Sequence, residues 1–294
     1  MDNKRQIFGF VDMGIDGLYD HDDPPEAKNA LVFIVVALNG YWKLPIGYFL
    51  IDSLNGKERA NLLETAMSLL TEIKIKIYSI TFDGAHVNTA MCTHLGAKFT
   101  LNNPKTFIEY KDTEGKEQQM FIFYDPAHML KLIRNTFQNK KVIKNKNGQL
   151  IKWEYLVKLV DVQTNQKLHA VNKLTYRHIH FFNEKMNVRL AAQTLSQSVC
   201  DSLKFMSTVD SSFEDSSATS EFCAMINNAF DITNSRSKFS KKPFNKAISE
   251  ETFEKYEEFM KEFKIYIKGL SFLDGTMVVN SQRKTGFLGL LFSL

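Results

Sequence analysis

The chain has 294 residues, an apolar fraction of 44% and 24 phenylalanines, enough for one large domain with an insertion or for two domains. It contains no run of about 18 to 20 apolar residues, the length of a membrane-spanning helix, and its N-terminus lacks the pattern of a signal peptide. We therefore expect a soluble intracellular protein without a membrane partner. The net charge of +4 is too small to establish a nucleic-acid partner.

The first quarter of the chain predicts strands followed by a helix. Short apolar runs at 7–12, 30–40 and 45–52, with an Asn-Gly turn signal between the last two, predict an antiparallel meander. From Lys57 to Ile73 the apolar residues recur every three or four positions, which predicts an amphipathic helix against the sheet. We expect Trp42, between the second and third runs, and Trp153 to be packing residues.

Two further predicted strands each end in an aspartate. The segment 75–83 alternates like a strand and ends at Asp83, a helix is predicted over 85–97, and the apolar run that begins at 119 ends at Asp125. This order predicts a mixed sheet with helices on its faces. Ligands of such sheets collect at the carboxyl ends of the strands, where both aspartates are expected.

Residues 128 to about 210 show only helical spacing, so we expect an all-helical insertion, followed by helices over 221–236 and 250–268 and a buried C-terminal segment. The basic run from Lys140 to Lys152 is typical of a solvated loop and is compatible with phosphate contacts.

The three cysteines and one pair of histidines are not predicted to be metal ligands. Cys92, Cys200 and Cys223 show no CxxC spacing, which argues against a disulfide framework and a zinc site, so we expect them in the core. His178 and His180 are two residues apart and would point to different sides of a helix, which favours surface or core roles.

Asp83 and Asp125 have two interpretations. Carboxylates are hard oxygen ligands, and a cluster of them can hold divalent ions for displacement at a phosphate. Either aspartate alone is also typical of a helix N-cap, because "DGAH" and "DPAH" both look like helix starts. The residue pattern leaves both interpretations open.

Nine sequence blocks, in this order, carry a family resemblance: "GFVDMG", "ALVFIVVALNGYWKLPIGYFLID", "ERANLL", "TFDGAHVNTAM", "YDPAHMLKLIRNTF", "NKLTYRHI", "KMNVRLAAQTLSQSV", "INNAFDITNSR" and "RKTGFLG". Together they resemble the P-element-type DNA transposases, including the THAP-domain transposases of animals. The resemblance implies a ribonuclease H-like α/β domain, a mixed sheet with helices on its faces, interrupted by an all-helical GTP-binding insertion domain. We expect the two parts of the ribonuclease H-like domain at 1–127 and 217–294, and the insertion at 128–216.

The resemblance also implies an activity and its partners. These are metal-dependent DNA strand cleavage and strand transfer at transposon ends, with Mg²⁺ or Mn²⁺ and GTP as cofactors. The partners implied are the transposon ends, the target DNA and further copies of the chain in a homo-oligomer, and the location implied is the nucleus.

Carried over by residue, Asp83 matches the family's second catalytic acid and metal ligand. Glu221, on the helix after the insertion, is the best match for the third, with Glu214 and Asp215 as alternatives, and Asp125 is implied to support the metal site. The family's first catalytic aspartate lies upstream of the block resembling "GFVD", so we expect a truncated or degenerate copy with weak activity. The alternative is a non-catalytic, transposase-derived module that binds DNA or protein.

The GTP contacts are implied mainly by the resemblance. The chain has no GxxxxGK[ST] phosphate loop, and the segment "NKLT" that begins at Asn172 is similar to the guanine-reading NKxD with threonine in place of aspartate. Candidate contacts are Asn172, Lys173, Lys140 and Lys141, the lysines through their charge toward phosphate. In the family the nucleotide serves DNA binding and assembly.

Overall fold

The computed structural model describes Val11 and residues 26–166, 173–235 and 237–294, so most of the strand predicted at 7–12 lies outside the described residues. The strands described are β1 (Asn29–Val36), β2 (Lys43–Ile51), β3 (Ser79–Phe82), β4 (Phe107–Lys111), β5 (Glu117–Tyr124), β6 (Val142–Lys144), β7 (Leu150–Lys152) and β8 (Ser271–Phe272). The helices described are α1 (Gly56–Glu72), α2 (His86–His94), α3 (Pro126–Lys140), α4 (Glu154–Gln166), α5 (Tyr176–Ile179), α6 (Val188–Thr194), α7 (Gln197–Val209), α8 (Ser217–Thr233), α9 (Glu250–Lys268) and α10 (Thr285–Phe292).

The chain divides into two compact units. The first comprises Met1–Ile80 and Ala85–Phe121, and the second comprises Thr81–Gly84 and Ile122–Leu294. The division passes through β3 and β5, so each unit contains part of both strands. None of the described helices combines the length and apolar character needed to cross a lipid bilayer.

In the first unit, β1 and β2 form the antiparallel pair predicted from the apolar runs and the Asn-Gly turn. Asn29 lies opposite Ile51, and the register shifts by a bulge between Phe33 and Ile34. The packing role predicted for Trp42 is wrong, because its side chain is 52% exposed. Trp42 lies at the hairpin tip, where its backbone carbonyl accepts a hydrogen bond from the Ala37 amide at 3.1 Å.

Helix α1 forms where its apolar stripe predicts. Asn55 caps its N-terminus in a reciprocal box with Glu58, and the buried stripe includes Ala60, Leu63 and Met67. At its start Gly56 lies against α2, where an added Cβ would come within 2.6 Å of the Ala90 Cβ. The close approach of these two helices therefore requires a glycine at this position.

A three-stranded mixed sheet with the order β3-β5-β4 follows. The Phe121 amide donates to the Tyr78 carbonyl and the Asp125 amide donates to the Phe82 carbonyl, both at 2.8 Å, so β3 and β5 run parallel. Strand β4 pairs antiparallel with β5, with Phe107 opposite Phe121. The predicted mixed sheet is confirmed, whereas β4 was not predicted.

In the second unit, the segment predicted to be helical throughout also contains a β-hairpin. Strands β6 and β7 pair with Ile143 opposite Ile151, and both side chains are fully buried. Asn145 shapes the turn by accepting from the amides of Asn147 and Gln149. Strand β8 pairs with the other edge of β6, so the run predicted as a solvated loop is part of a three-stranded sheet.

An aromatic cluster forms the centre of the second unit. Phe137 of α3 contacts Trp153 edge-on, with ring centres 5.3 Å apart, and Phe222 of α8 at 5.1 Å. Trp153 is 1% exposed and also contacts Phe181 at 6.1 Å, which confirms its predicted packing role. Such buried aromatic pairs stabilise a core beyond the area they bury.

Helix α10 packs on α3 through two glycines, and the C-terminal segment is buried as predicted. A Cβ on Gly286 would lie 2.8 Å from the Leu132 Cβ, 3.0 Å from the Ile133 nitrogen and 3.0 Å from the Met129 oxygen, and a Cβ on Gly289 would overlap the Met129 sulfur. The two helix backbones are therefore in direct contact.

We predict that Gly286→Ala lowers the free energy of unfolding by about 1–3 kcal/mol, because two of the three atoms met by the new methyl group belong to the backbone and cannot rotate away. Urea unfolding measures this. Gly47→Ala is the matched control, since its Cβ would meet no atom closer than 3.8 Å. Equal unfolding midpoints for Gly286→Ala and the wild type would contradict the close packing of α10 on α3.

Candidate functional site

The parallel strands β3 and β5 bring Asp83 and Asp125 to the same edge of the sheet. Asp125 donates its amide to the Phe82 carbonyl, the residue directly before Asp83, so the two aspartates follow the ends of paired strands. Asp83 is exposed and Asp125 is half-buried. Both lie in the second unit. Carboxylates supply hard oxygens of the kind that divalent cations bind in proteins.

Asp125 also caps a helix, the alternative that the sequence left open. Its Oδ1 accepts from the Ala127 amide at 3.0 Å, and Pro126 occupies the first helical position of α3, where a missing N–H costs nothing. The cap uses one carboxylate oxygen. Asp125 is thus a structural residue, and within the described residues its Oδ2 takes no part in the cap.

The loop after β3 lies against α3 and α10. A Cβ on Gly84 would meet the Thr285 Cγ2 at 2.8 Å, the Met129 Cε at 2.9 Å and the Leu132 Cδ1 at 3.3 Å. Since Gly84 directly follows Asp83, this packing restrains the aspartate from the side of both helices. The site edge is therefore held by backbone pairing and by helix packing together.

Glu221, the candidate third acid, lies exposed on α8. Its charge acts on Tyr266 of α9, whose hydroxyl pKa is raised well above its usual value, first by burial and then by Glu221. The alternatives Glu214 and Asp215 lie in the 3₁₀ turn Ser211–Ser216 before α8. In the part of the chain that is described, no three His, Cys, Asp or Glu side chains are grouped to hold a metal ion.

The GTP candidates lie on separate elements. Lys140 ends α3, with its Nζ 4.5 Å from the centre of the Phe272 ring. Lys141 follows in the left-handed region at φ 63°, and Lys173 is exposed before α5. Asn172 lies outside the described residues. The structure leaves these four contacts as predictions.

Arg134 is a buried cation that the sequence analysis missed. It lies on the apolar face of α3, is 0% exposed and stacks on Phe181, with 3.7 Å between guanidinium carbon and ring centre. Its Nη2 donates to the Lys185 carbonyl at 2.8 Å and its Nε to Asn135 Oδ1 at 2.9 Å, while Nη1 has no partner in the described residues. Burial lowers its pKa to about 10, so it stays charged at neutral pH.

Beside Arg134, His178 has a polar neighbour at each ring nitrogen. Its Nδ1 lies 3.1 Å from the Thr175 amide and its Nε2 lies 2.9 Å from Gln193 Oε1, and burial lowers its pKa. Arg177 donates two hydrogen bonds of 2.6 Å to the Glu184 carboxylate, which lower the pKa of that carboxyl to about 2. Local partners therefore occupy these groups.

The cysteines are core residues, as predicted. Cys92, Cys200 and Cys223 are free thiols with no exposed surface. Burial raises the pKa of the Cys92 thiol to about 12 and that of Cys223 further. A buried thiol that stays protonated is a poor nucleophile at neutral pH.

Two family models match the chain. A model described as "TNP-like, RNase H N-terminal domain" matches residues 1–96, and one described as "TNP-like, GTP-binding insertion domain" matches residues 127–247. Together they cover most of the chain in the order expected. The predicted ribonuclease H-like class with an insertion domain of the GTP-binding type is confirmed.

Curated relatives and a solved structure agree with these models. The chain is 30% identical over 292 residues to the human DNA transposase THAP9, covering 99% of this chain and 32% of that protein. It is 22% identical over 240 residues to the Transposable element P transposase of Drosophila melanogaster, covering 80% and 30%. The chain thus spans about a third of the length of the curated relatives it matches.

The solved structure is the Drosophila P element transposase strand transfer complex. The match has a TM-score of 0.76 at 20% identity, and covers 98% of this chain and 60% of that chain. At this identity the likeness establishes the fold.

We predict that Asp125→Ala lowers the free energy of unfolding by about 1 kcal/mol through loss of the α3 cap, whereas Asp125→Asn and Asp125→Ser retain most of it because both side chains can accept from the Ala127 amide. Thermal and urea unfolding measure the difference. Equal destabilisation by the alanine and asparagine variants would contradict the capping role.

Proposed function

This chain belongs to the P-element-type transposase family, and we propose that it forms a DNA transposase core that cleaves and transfers strands at transposon ends with divalent metal ions. We further propose GTP as its assembly cofactor, transposon ends and target DNA as its substrates, and a homo-oligomer in the nucleus as its working form. The proposed domains are a ribonuclease H-like domain at 1–127 and 217–294 and an insertion at 128–216.

The observation that carries this proposal is the shared edge of β3 and β5. Parallel strands end side by side, so the carboxylates of Asp83 and Asp125 follow paired backbone positions. Phosphate chemistry needs negative ligands that hold a cation against a negative substrate, and a pair of strand-end carboxylates supplies them.

Asp83, Asp125 and Glu221 are the residues that would hold Mg²⁺ or Mn²⁺. The strand-end pair fits such an ion because carboxylate oxygens are hard donors. The helix cap at Asp125 uses its Oδ1, so Oδ2 is the oxygen that would bind the ion. When bound, such an ion would polarise the phosphate and favour ionisation of the attacking oxygen. The chain's own contribution is to keep the carboxylates fixed, through the strand register and the packing of Gly84 on α3 and α10.

The insertion contributes nucleotide binding in this proposal. Lys140, Lys141 and Lys173 are the proposed phosphate contacts, with Asn172 as a polar contact to the nucleotide. Lysine binds phosphate as a point charge, so the contacts tolerate several geometries.

A second candidate function is a non-catalytic module that binds DNA or protein. It is favoured by the position of Glu221, which acts on Tyr266 and belongs to no three-ligand group in the described residues. This candidate predicts DNA binding that does not depend on divalent metal.

We predict that the wild-type chain binds Mn²⁺ and that Asp83→Ala weakens this binding at least about tenfold, because one hard oxygen ligand is lost. Water-proton relaxation during Mn²⁺ titration measures the affinity without requiring activity. Nicking of a supercoiled plasmid, tested with Mg²⁺ and with EDTA, reports the chemistry.

Asp201→Ala is the matched control, since Asp201 is an exposed aspartate on α7 that accepts a hydrogen bond from Gln197. Equal Mn²⁺ affinity in Asp83→Ala and the wild type would place the metal elsewhere. Salt-dependent DNA binding without any Mn²⁺ binding would support the non-catalytic module.

We predict that the chain binds a fluorescent GTP analogue and that the double variant Lys140→Gln, Lys141→Gln weakens this binding about 10- to 100-fold, because charge-assisted hydrogen bonds to phosphate are lost. Lys173→Gln should act in the same direction. Lys261→Gln is the control, since Lys261 pairs with Glu257 on the exposed face of α9. Displacement by ATP as readily as by GTP would contradict guanine selectivity.

A further inference from the structure

The segment between α8 and α9 is a compact basic loop, defined here as Ser237–Ala247. The Ala247 amide donates to the Ser237 carbonyl at 3.1 Å, and Ser237 bridges to Lys246, so the two ends of the loop meet. Inside it, the Ser240 hydroxyl donates to Asn245 Oδ1 at 3.3 Å. Loops whose ends meet and whose own side chains fill them frequently carry function.

A nearly buried carboxylate anchors one side of the basic loop. Asp231 of α8 is 6% exposed and accepts from Lys242 Nζ at 3.1 and 3.2 Å, and its backbone carbonyl accepts from Asn245 Nδ2 at 3.1 Å. Asn227 adds a bond to the same carboxylate at 3.1 Å. Lys242 is therefore committed to holding the loop.

Aromatic packing anchors the other side. The ring centre of Phe244 lies 5.7 Å from that of Tyr256 and 4.8 Å from that of Phe259, and both of these rings belong to α9. The Tyr256 hydroxyl accepts from the Lys246 amide at 3.2 Å and donates to the Lys246 carbonyl at 2.9 Å. The loop backbone is therefore anchored at its closed ends, at Asp231 and at the aromatic rings of α9.

The tip presents an aromatic ring between two lysines. Phe239 is 91% exposed, and its neighbours Lys238 and Lys241 are exposed too. Within the described residues neither lysine forms an ion pair. From 232 to 249 the sequence has five basic residues and no acidic one. The tip therefore combines one exposed aromatic face with two exposed positive charges within four residues.

We propose that this tip binds single-stranded DNA, with an unpaired base stacked on Phe239 and the flanking phosphates on Lys238 and Lys241. Single-stranded nucleic acid is bound by aromatic rings and cations that alternate along a surface, which is the arrangement of this tip. A membrane surface fits less well, because Phe239 has only Lys238, Ser240 and Lys241 as its nearest neighbours in sequence and one ring buries little area in lipid. The inference rests on the proposed function only in taking DNA as the partner.

The test measures binding of a fluorescein-labelled 16-nucleotide mixed-sequence DNA to the full chain, as the single strand and as the matching duplex, by anisotropy at several salt concentrations. Phe239→Ala should weaken single-strand binding about 5- to 100-fold and leave duplex binding nearly unchanged. Phe239→Trp should retain single-strand binding. Lys238→Gln with Lys241→Gln should reduce the slope of log K against log salt by about 1.4 for the single strand.

Phe253→Ala is the matched control, since Phe253 is 58% exposed but lies among glutamates on α9, and it should change neither affinity. Wild-type single-strand affinity in Phe239→Ala, or equal losses on single strand and duplex, would overturn the inference and leave the transposase proposal standing. Absence of any DNA binding by the wild type would overturn both. Phe239-dependent binding to phosphatidylserine vesicles without DNA binding would assign the tip to membranes instead and also overturn it.

Discussion

The parallel pairing of β3 with β5 is the constraint on which the candidate site depends. Two hydrogen bonds, at Tyr78–Phe121 and Phe82–Asp125, fix the register of the strands. Side chains alternate along a strand, so a slip of one residue would expose the buried face of β5. The same slip would displace the carboxylate of Asp125, which follows the strand. The edge-on contact of Phe82 with Tyr124 at 5.1 Å favours the observed register. The position of the acids is therefore a consequence of how the core packs.

Much of this arrangement was predictable because it rests on periodic patterns. The apolar stripe of α1 and the alternation of the strands ending at Asp83 and Asp125 are long enough to give a clear period. The sheet edge followed from the strand order. The dual nature of Asp125 was also visible, because a proline after an aspartate is typical of a helix start. Glu221 rested on the resemblance alone, and its role stays a prediction.

The features that were missed depend on distant contacts. Strands β6 and β7 have three residues each and lie among lysines, so no period could develop, and their pairing is completed by β8 more than a hundred residues later. Arg134 interrupts an apolar helix face, but only the folded chain supplies Phe181 and the Lys185 carbonyl that receive its guanidinium. For Trp42 the sequence predicted burial because tryptophan is a large aromatic residue, whereas the hairpin turn directs its side chain outward.

The burial of all three thiols has a practical consequence for spectroscopy. Maleimide and iodoacetamide probes react with solvated thiolate, and Cys92, Cys200 and Cys223 offer no exposed sulfur. A cysteine introduced on the surface would therefore be labelled selectively in the folded chain without first replacing the native ones. Fluorophore or spin-label pairs attached in this way to the two compact units would report the distance between them in solution.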